Sequence, residues 1–211
     1  CGNPQNNLKI IQVAGTNGKG SVCSMLESIY READYKTGLF TSPHLVRINE
    51  RVRINGLVVS DDKLEEFILL HQKELVEIGA SFFETLTVFA FWFFNQEKVD
   101  IAIMETGLGG RLDSVTACVP VVTVITKIAL DHVEILGNSL EKITIEKAGI
   151  LKPNVPCIST PQVPIAAKTL ISKADKIGCP IYFSDDSFMM NCNLPGVHQQ
   201  KNAALAKLIL I

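Results

Sequence analysis

Apolar residues along this chain occur in two patterns that alternate from one end to the other. In the first, several consecutive positions are apolar, which is typical of strands in a parallel sheet buried on both faces. In the second, apolar residues recur every three or four positions, which indicates helices with one buried face. Predicted strands occupy residues 8–14, 37–40, 51–54, 99–105, 121–126, 155–159 and 181–183. Predicted helices occupy residues 19–33, 84–96, 140–148, 165–177 and 199–211, and another begins at Asp61.

This alternation of strands and helices predicts the fold class. A strand–helix–strand order places parallel strands in one sheet with helices on both faces, so we expect a doubly wound α/β domain. The 211 residues are enough for one large domain. Residues 188–194 have no organised pattern, and the last predicted helix ends at Ile211. We therefore expect a stretch to be missing from the sequence near residue 190, and the natural chain to continue beyond residue 211.

Composition and charge argue against several function classes. The net charge of −2 gives no reason to expect binding to nucleic acid. No apolar run reaches the ~20 residues that span a bilayer, so no membrane association is expected. The six cysteines are scattered without a Cys-x-x-Cys pair, which favours reduced thiols over a disulfide framework or a zinc site. We expect a cytoplasmic monomer that acts on small molecules.

A glycine-rich segment connects the first predicted strand to the first predicted helix, and it consists of Gly15, Thr16, Asn17, Gly18, Lys19, Gly20 and Ser21. Glycines let backbone N–H groups approach phosphate oxygens, and the helix N-terminus adds a partial positive charge. Lys19 is suited to reach the β- and γ-phosphates of a nucleotide, and Ser21 to hold Mg²⁺. The strict G-x-x-x-x-G-K-[ST] pattern is not met, because residue 13 is valine and Gly20 separates the lysine from the serine. An ordinary glycine-rich turn between a strand and a helix is the alternative.

Six further motifs follow this segment in order. They are TSPHLVRINERVRING at 41–56, FFETLT at 82–87, METGLGGRLDS at 104–114, IALDHVEILG at 128–137, EKAGILK at 146–152 and LPGVHQQKNAALA at 194–206. Together with GTNGKGS, they resemble the folylpolyglutamate synthase/dihydrofolate synthase family of the Mur ligase superfamily. The resemblance covers essentially the whole chain. It implies that residues 1–211 are the P-loop-containing, ATP-binding central domain of such an enzyme, and that the smaller α/β C-terminal domain of the family is absent from this sequence.

The resemblance also implies an activity, an ATP-dependent ligase that joins L-glutamate to a carboxylate of dihydropteroate or of a folate. A carboxylate is a poor acylating agent, and phosphorylation by ATP converts it into an acyl phosphate that the glutamate amine attacks. Such phosphoryl transfer needs positioning and charge neutralisation, for which the family implies ATP and Mg²⁺ at two sites. The alternatives are another Mur-type amino-acid ligase of cell-wall synthesis and a non-catalytic P-loop nucleotide-binding module.

Two candidate metal ligands besides Ser21 lie early in these motifs. Glu105 ends a buried strand just before a glycine loop, where a carboxylate needs a cation or a hydrogen-bond donor. The resemblance makes it a Mg²⁺ ligand, and a carboxylate that caps the following loop is the alternative. Ser42 is implied as a magnesium-binding serine on a loop that closes over the site. Its alternative role is a helix cap.

Two later residues complete the implied metal set. His132 is implied to bind a second Mg²⁺ with support from Asp131, although neighbouring Asp and His residues also occur as plain hydrogen-bonding groups in loops. The resemblance implies that Lys147 is carbamylated, which turns a cation into an anionic metal ligand, and a salt-bridging lysine is the alternative. Lys19, His132 and Lys147 form the implied catalytic set.

Substrate contacts are implied at several more positions, and residues 42–53 are a candidate region for the folate side. Phe83 is a candidate to stack on the pterin ring, or else a core phenylalanine. Glu134 is a candidate acceptor for the pterin amino group, or else a solvated glutamate. Arg111 is a candidate partner for a substrate carboxylate or phosphate, or else part of a surface salt bridge. Asn202 is implied near the adenine together with His198, for which a structural role at a helix start is equally open.

Two positions depart from the pattern of the family. Thr116 and Lys127 each stand where relatives often have asparagine. Because both lie near the predicted site, we expect them to affect details of substrate contact rather than the ATP chemistry.

Overall fold

The computed structural model describes residues 1–185 and 187–210. Eight strands in this part of the chain form one sheet: β1 Ile10–Ala14, β2 Thr37–Phe40, β3 Val52–Ile54, β4 Leu57–Val58, β5 Ile101–Glu105, β6 Val122–Ile125, β7 Cys157–Ser159 and β8 Ile181–Phe183. The α-helices are α1 Lys19–Glu32, α2 Asp61–Glu77, α3 Phe82–Gln96, α4 Val133–Leu136, α5 Leu140–Lys147, α6 Pro164–Ile177 and α7 Val197–Leu208. Short 3-10 helices occupy Pro4–Asn7, Ile48–Arg51, Ser114–Ala117 and Ala148–Ile150.

The strand order is β4-β3-β2-β5-β1-β6-β7-β8. Strands β1, β2, β5, β6, β7 and β8 run parallel, and the hairpin of β3 and β4 pairs antiparallel at one edge. Asn55 and Gly56 form the two-residue turn of this hairpin with φ of 49° and 78°, the left-handed conformation that such turns require. The parallel strands bring their carboxyl ends to one edge of the sheet, where ligands bind in doubly wound folds.

The core lies on both faces of the sheet. Ile10 of β1 packs in a cluster with Phe89 of α3, whereas Ile11 packs with Leu26 of α1 and Leu205 of α7. This is the alternation expected along a strand. A third cluster connects α5 and α6 to β6 and β7. Helix α3, which is apolar nearly all round, is buried on several sides as predicted.

The sequence prediction of a mostly parallel, helix-flanked sheet is confirmed. Predicted and observed elements end within about two residues of each other for most of the chain, which is the usual spread at element ends. The pattern missed β4 and α4, because a strand of two residues and a single helical turn are too short to show a period. The last helix is Val197–Leu208 rather than 199–211, and Ile211 lies outside the described residues. None of the helices in the described part of the chain has the length and apolar character needed to cross a membrane.

Candidate functional site

Residues 15–21, called the glycine loop from here on, lead from the end of β1 into the first turn of α1. Gly15 has φ of 146°, and a Cβ atom there would lie 1.9 Å from Oγ1 of Thr126. Gly18 is the N-cap of α1 with φ of 90°, and a Cβ atom there would lie 2.8 Å from Oδ1 of Asn202. Both positions therefore require glycine, because neither the backbone conformation nor the space admits a side chain.

The next chain segment after β6 holds the glycine loop in place. The backbone amides of Thr16 and Asn17 both donate to the carbonyl of Lys127, at 2.8 and 3.1 Å. The Thr16 hydroxyl donates to the carbonyl of Ala129 and accepts from its amide, both at 3.1 Å. The first backbone bond within α1 runs from Val22 to Gly18, so the amides of residues 18–21 are those that helix geometry leaves open. These four amides, rather than the whole predicted segment, are suited to hold an anion.

Glu105 lies directly against the start of α1. It ends β5 and is only 3% exposed, and its Oε2 accepts a hydrogen bond of 3.1 Å from the amide of Ser42. A Cβ atom added to Gly20 would lie 3.6 Å from this oxygen, so the carboxylate adjoins the helix turn that contains Ser21. Burial raises the pKa of Glu105, and the Ser42 amide acts in the opposite direction. The positive charges of Lys19 and Arg51 also lower this pKa.

Lys147 approaches the glycine loop from the other side. It ends α5, is 4% exposed, and donates from Nζ to the carbonyl of Gly15 at 2.8 Å. Burial lowers the pKa of Lys147 to about 8, and the charge of Lys19 adds to this effect. The carboxylates of Asp131 and Asp113 raise the same pKa. Relative to an ordinary lysine, a larger fraction of the side chain is therefore a neutral, nucleophilic amine near neutral pH.

His132 lies at the start of α4 with a left-handed backbone conformation, φ of 46°. Such a conformation is uncommon for a residue other than glycine and occurs often at functional sites. Its side chain is 55% exposed, and Nε2 lies 3.7 Å from Oδ2 of Asp131. In the described residues, no group of three or more His, Cys, Asp or Glu side chains is arranged to hold a metal ion. A cation at this edge of the sheet would therefore also need serine hydroxyls, water or phosphate oxygens as ligands.

An open cleft of about 570 Å³ lies beside Glu105. Its lining includes Ser42, Arg51, Phe83, Arg111, Asp113 and Ile135. The Phe83 ring packs on Gly107, where a Cβ atom would lie 2.6 Å from the ring, and is 5.6 Å from the ring of Phe40. Phe83 is thus half in the core and half in the cleft wall, so both predicted roles are compatible with its position.

The other two predicted substrate residues are arranged differently. Arg111 forms an ion pair with Glu146, with Nη2 and Oε1 3.0 Å apart, so the carboxylate it meets belongs to the protein itself. Its side chain remains 54% exposed at the cleft. Glu134 is exposed on α4 and is not among the described residues that line the cleft, although its neighbour Ile135 is.

A smaller pocket of about 330 Å³ lies beside the glycine loop, and its lining includes Lys127, Gln162, His198 and Asn202. Asn202 is buried against Gly18, and its Nδ2 donates to Oε1 of Gln199 at 3.0 Å. The side chain of Gln162 connects the segment after β7 to the segment after β6. Its Nε2 donates to the carbonyl of Thr126, and its Oε1 accepts from the amide of Ile128. The pocket is thus built from segments that are far apart in the sequence.

Sequence reasoning missed Asp113 and Gln162 of this region. It included Arg51 only within the broad candidate region for the folate side, residues 42–53, of which Ser42 and Arg51 line the cleft. The buried Asp113 accepts hydrogen bonds from the amides of Gly107, Leu108 and Val115 at 2.8–3.0 Å, and so shapes the loop after β5. Its position just before a 3-10 helix is a capping signal that could have identified it. Gln162 has no such signal, because its partners are distant in sequence.

The two departures from the family pattern have structural positions. The Thr116 hydroxyl donates to the carbonyl of Gly110 at 2.6 Å and accepts from Nε2 of Gln12 at 2.8 Å. It therefore connects the loop after β5 to strand β1. Lys127 holds the glycine loop through its carbonyl, and its exposed side chain lines the small pocket.

Known proteins are similar to this chain in sequence and structure across nearly all of its residues. The family model of the Mur ligase middle domain matches residues 13–159. The chain is 40% identical to the mitochondrial folylpolyglutamate synthase of Cricetulus griseus, across 95% of this chain and 37% of that protein. It is 36% identical to the dihydrofolate synthase/folylpolyglutamate synthase of Bacillus subtilis, across 97% of this chain and 55% of that protein. A solved structure of an FPGS–AMPPCP–folate complex superposes with a TM-score of 0.89 at 32% identity, across 98% of this chain and 58% of that one. The chain thus spans between about a third and little more than half of the length of these relatives.

Proposed function

Because the chain belongs to the Mur ligase family, in its folylpolyglutamate and dihydrofolate synthase branch, we propose that it is the nucleotide-binding part of an ATP-dependent ligase. The ligase adds L-glutamate to dihydropteroate or to a folate. The observation that carries this proposal is the position of Glu105, whose buried carboxylate adjoins the first turn of α1 and accepts a hydrogen bond from Ser42, a residue of the cleft wall. A phosphate at the helix and a carboxylate substrate in the cleft would meet at this residue.

The glycine loop is the proposed triphosphate site. The amides of residues 18–21 point from the helix N-terminus, and Lys19 extends from the same turn with its Nζ 3.4 Å from the carbonyl of Thr16. Backbone dipoles and one lysine together neutralise phosphate charge without a further positively charged side chain. The small pocket beside Gly18 is the proposed adenine site, where Asn202 offers both a donor and an acceptor. The solved FPGS complex with AMPPCP supports nucleotide binding as such.

The residues around Glu105 fit Mg²⁺. This buried carboxylate accepts a hydrogen bond from the Ser42 amide at one oxygen, which leaves lone pairs for a cation. The nearby hydroxyls of Ser21 and Ser42 add hard oxygen donors. We assign these three residues to a first metal site. When bound, Mg²⁺ would neutralise part of the negative charge of the reacting phosphate and carboxylate groups.

The second proposed metal site contains His132 and Lys147. As an ammonium, Lys147 would repel a divalent cation, so the site fits only if this lysine is carbamylated. Its burial and lowered pKa support that modification, because CO₂ reacts with the neutral amine. The hydrogen bond to Gly15 keeps the nitrogen next to the glycine loop.

The open cleft is the proposed site of the pterin-containing substrate. Phe83 offers an aromatic face in the cleft wall, and apolar residues such as Leu112 and Ile135 line its mouth. The chain's own groups would hold the substrate carboxylate near Glu105 and the triphosphate near Lys19, so that a carboxylate oxygen attacks the γ-phosphorus and ADP leaves. The glutamate amine then attacks the acyl carbon and displaces inorganic phosphate. The solved FPGS complex that contains folate together with AMPPCP supports this substrate class.

A phosphate-release assay on the full-length protein tests the proposal. Dihydropteroate, folate and a UDP-muramyl substrate are each supplied with ATP and Mg²⁺, with and without L-glutamate. We expect glutamate-dependent phosphate release with dihydropteroate or folate alone. Release with the UDP-muramyl substrate would identify a cell-wall ligase, and nucleotide binding without any release would identify a non-catalytic module.

Substitution of Lys19 tests the assignment of the triphosphate site. We expect Lys19→Ala to lower turnover by at least about 100-fold, as for other groups that stabilise transition-state charge, with an unchanged melting temperature. The control Lys63→Ala removes a lysine of α2 that pairs with Glu66 on the surface, and it should leave turnover unchanged. Normal turnover in Lys19→Ala would contradict the triphosphate assignment.

A further inference from the structure

Arg51 lines the open cleft. It ends the 3-10 helix Ile48–Arg51, just before β3, and is half-buried. Its Nε donates to Nδ1 of His44 at 2.9 Å. Its Cζ atom lies over the Phe82 ring, 5.4 Å from the ring centroid, within the range of a cation–π contact. The imidazole and the ring hold the guanidinium in one orientation.

This arrangement leaves one edge of the guanidinium open. In residues 1–185 and 187–210, neither Nη atom of Arg51 has a hydrogen-bond or ion-pair partner. The side chain lines the cleft together with Ser42 and Phe83. Arg111, the other arginine of the cleft, is already paired with Glu146. An unpaired, pre-oriented guanidinium fork matches the two oxygens of a carboxylate.

Charges alternate from the cleft to the glycine loop. Arg51 interacts with Glu105, and Glu105 interacts in turn with Lys19. The amide of Ser42, next to Arg51 in the cleft wall, donates to the same carboxylate. A group bound by the Nη atoms of Arg51 would thus lie on the cleft side of Glu105, across from the proposed triphosphate.

We infer that Arg51 binds the carboxylate of the substrate that is to be phosphorylated, and that it does so through both Nη atoms. This inference rests on the proposed function, since it names the residue that positions the acceptor carboxylate in that reaction. His44 and Phe82 orient the fork, and Glu105 lies between the bound carboxylate and Lys19. Arg51 is therefore a binding residue for the reacting group, distinct from the residues that hold the nucleotide.

Binding measurements with a paired ligand test the inference. Dissociation constants are measured on the full-length protein, saturated with AMPPCP and Mg²⁺, for dihydropteroate and for its carboxamide. The carboxamide differs only at the group that Arg51 is inferred to hold. We expect the wild type to prefer the carboxylate by about 10-fold or more, the size of a hydrogen-bonded pair between charged groups. In Arg51→Gln, this preference should fall to within about threefold, with carboxamide binding unchanged.

Two variants separate the inferred role from a structural one. Arg51→Lys keeps a positive charge beside Glu105 but lacks the fork, so part of the preference should remain. Arg53→Gln is the matched control, because Arg53 belongs to β3 and donates from Nε to the carbonyl of Glu50. It should keep the full preference. AMPPCP affinity and melting temperature are followed in every variant and should stay near the wild-type values.

The outcomes are distinct. If Arg51→Gln keeps the preference for the carboxylate, the inference is wrong and the proposed function stands. If it weakens the acid and the carboxamide equally, or weakens AMPPCP binding, Arg51 only supports the shape of the site and the inference is again wrong. If the wild type binds neither ligand and releases no phosphate with either substrate class, the proposed function fails and the inference with it.

Discussion

The glycine loop and the open cleft adjoin at Glu105 but are held by different kinds of contact. The loop is fixed through its own backbone from two sides: its Thr16 and Asn17 amides donate to the Lys127 carbonyl, and its Gly15 carbonyl accepts from the Lys147 side chain. Side chains with large exposed fractions form much of the cleft rim, among them Leu112 at 80% and Ile135 at 70%. A backbone-built site has one shape, whereas a side-chain-built site can change its preferences by substitution. We therefore expect the proposed nucleotide end to tolerate little change in shape and the proposed substrate end to determine specificity.

The largest effect is expected from Gly15→Ala, which tests the rigidity of the backbone-built end. A Cβ atom 1.9 Å from Oγ1 of Thr126, at φ of 146°, cannot be accommodated without moving the loop. We expect AMPPCP affinity to fall by more than about 100-fold, since several amide contacts would be lost together. Isothermal titration calorimetry measures this.

Gly20→Ala is the matched control for that substitution. A Cβ atom at Gly20 would be in ordinary contact, 3.6 Å from Oε2 of Glu105, in a helical conformation. Alanine in a helix is favoured over glycine by about 1 kcal/mol, so the melting temperature should not fall. Equal AMPPCP affinity in Gly15→Ala and wild type would show that the loop is flexible, and the comparison would fail.

A smaller effect is expected from Phe83→Leu, which tests the side-chain-built end. Loss of an aromatic face should weaken binding of dihydropteroate or folate by roughly five- to tenfold, since such ring contacts contribute about 1 kcal/mol. AMPPCP affinity should be unchanged because Phe83 lies in the cleft wall. Fluorescence titration with each ligand distinguishes the two effects.

The control for Phe83 is Phe89→Leu. Phe89 is fully buried and stacks on Phe93 with centroids 5.7 Å apart, so its substitution should lower stability by about 1–3 kcal/mol. Ligand affinity should remain the same. If Phe83→Leu instead lowers stability and spares the pterin ligand, Phe83 is a core residue and not part of the substrate site.

The smallest effect concerns Glu50, which holds the loop of residues 45–47 before β3. Its carboxylate accepts from the amides of Leu45, Val46 and Arg47, and these bonds, that of Leu45 first, lower its pKa from 4.5 to about 2. A lowered folded-state pKa stabilises the fold above pH 4.5 and loses this effect as the pH falls towards 2. Glu50→Gln should therefore melt slightly below the wild type at pH 7, and the difference should shrink at pH 3.

Glu66→Gln is the control for this pH dependence, because Glu66 forms only a surface ion pair with Lys63. Its melting temperature should follow that of the wild type at both pH values. A constant difference between Glu50→Gln and wild type from pH 7 to pH 3 would contradict the role of the three amides.

The same contrast explains what could be predicted from the sequence. The order of strands and helices and the glycine loop were predictable, because local patterns determine them: β1, the glycines and α1 are contiguous. Glu105 was also predictable, as the polar end of a buried strand. Arg51 was predicted only as part of the broad region 42–53, and Gln162 was not predicted at all, since their positions depend on partners that the chain brings together only after folding. The use of the Thr16 and Asn17 amides by Lys127 was hidden for the same reason.

The hydrogen bonds between Thr16 and Ala129 join residues 113 positions apart. During synthesis the ribosome releases the glycine loop long before this partner, and contacts of such separation form late because a large loop must close first. The glycine loop, and with it the proposed phosphate site, therefore acquires its folded conformation only when β6 has docked beside β1. We therefore expect anion binding at the proposed site to report how far the sheet has assembled.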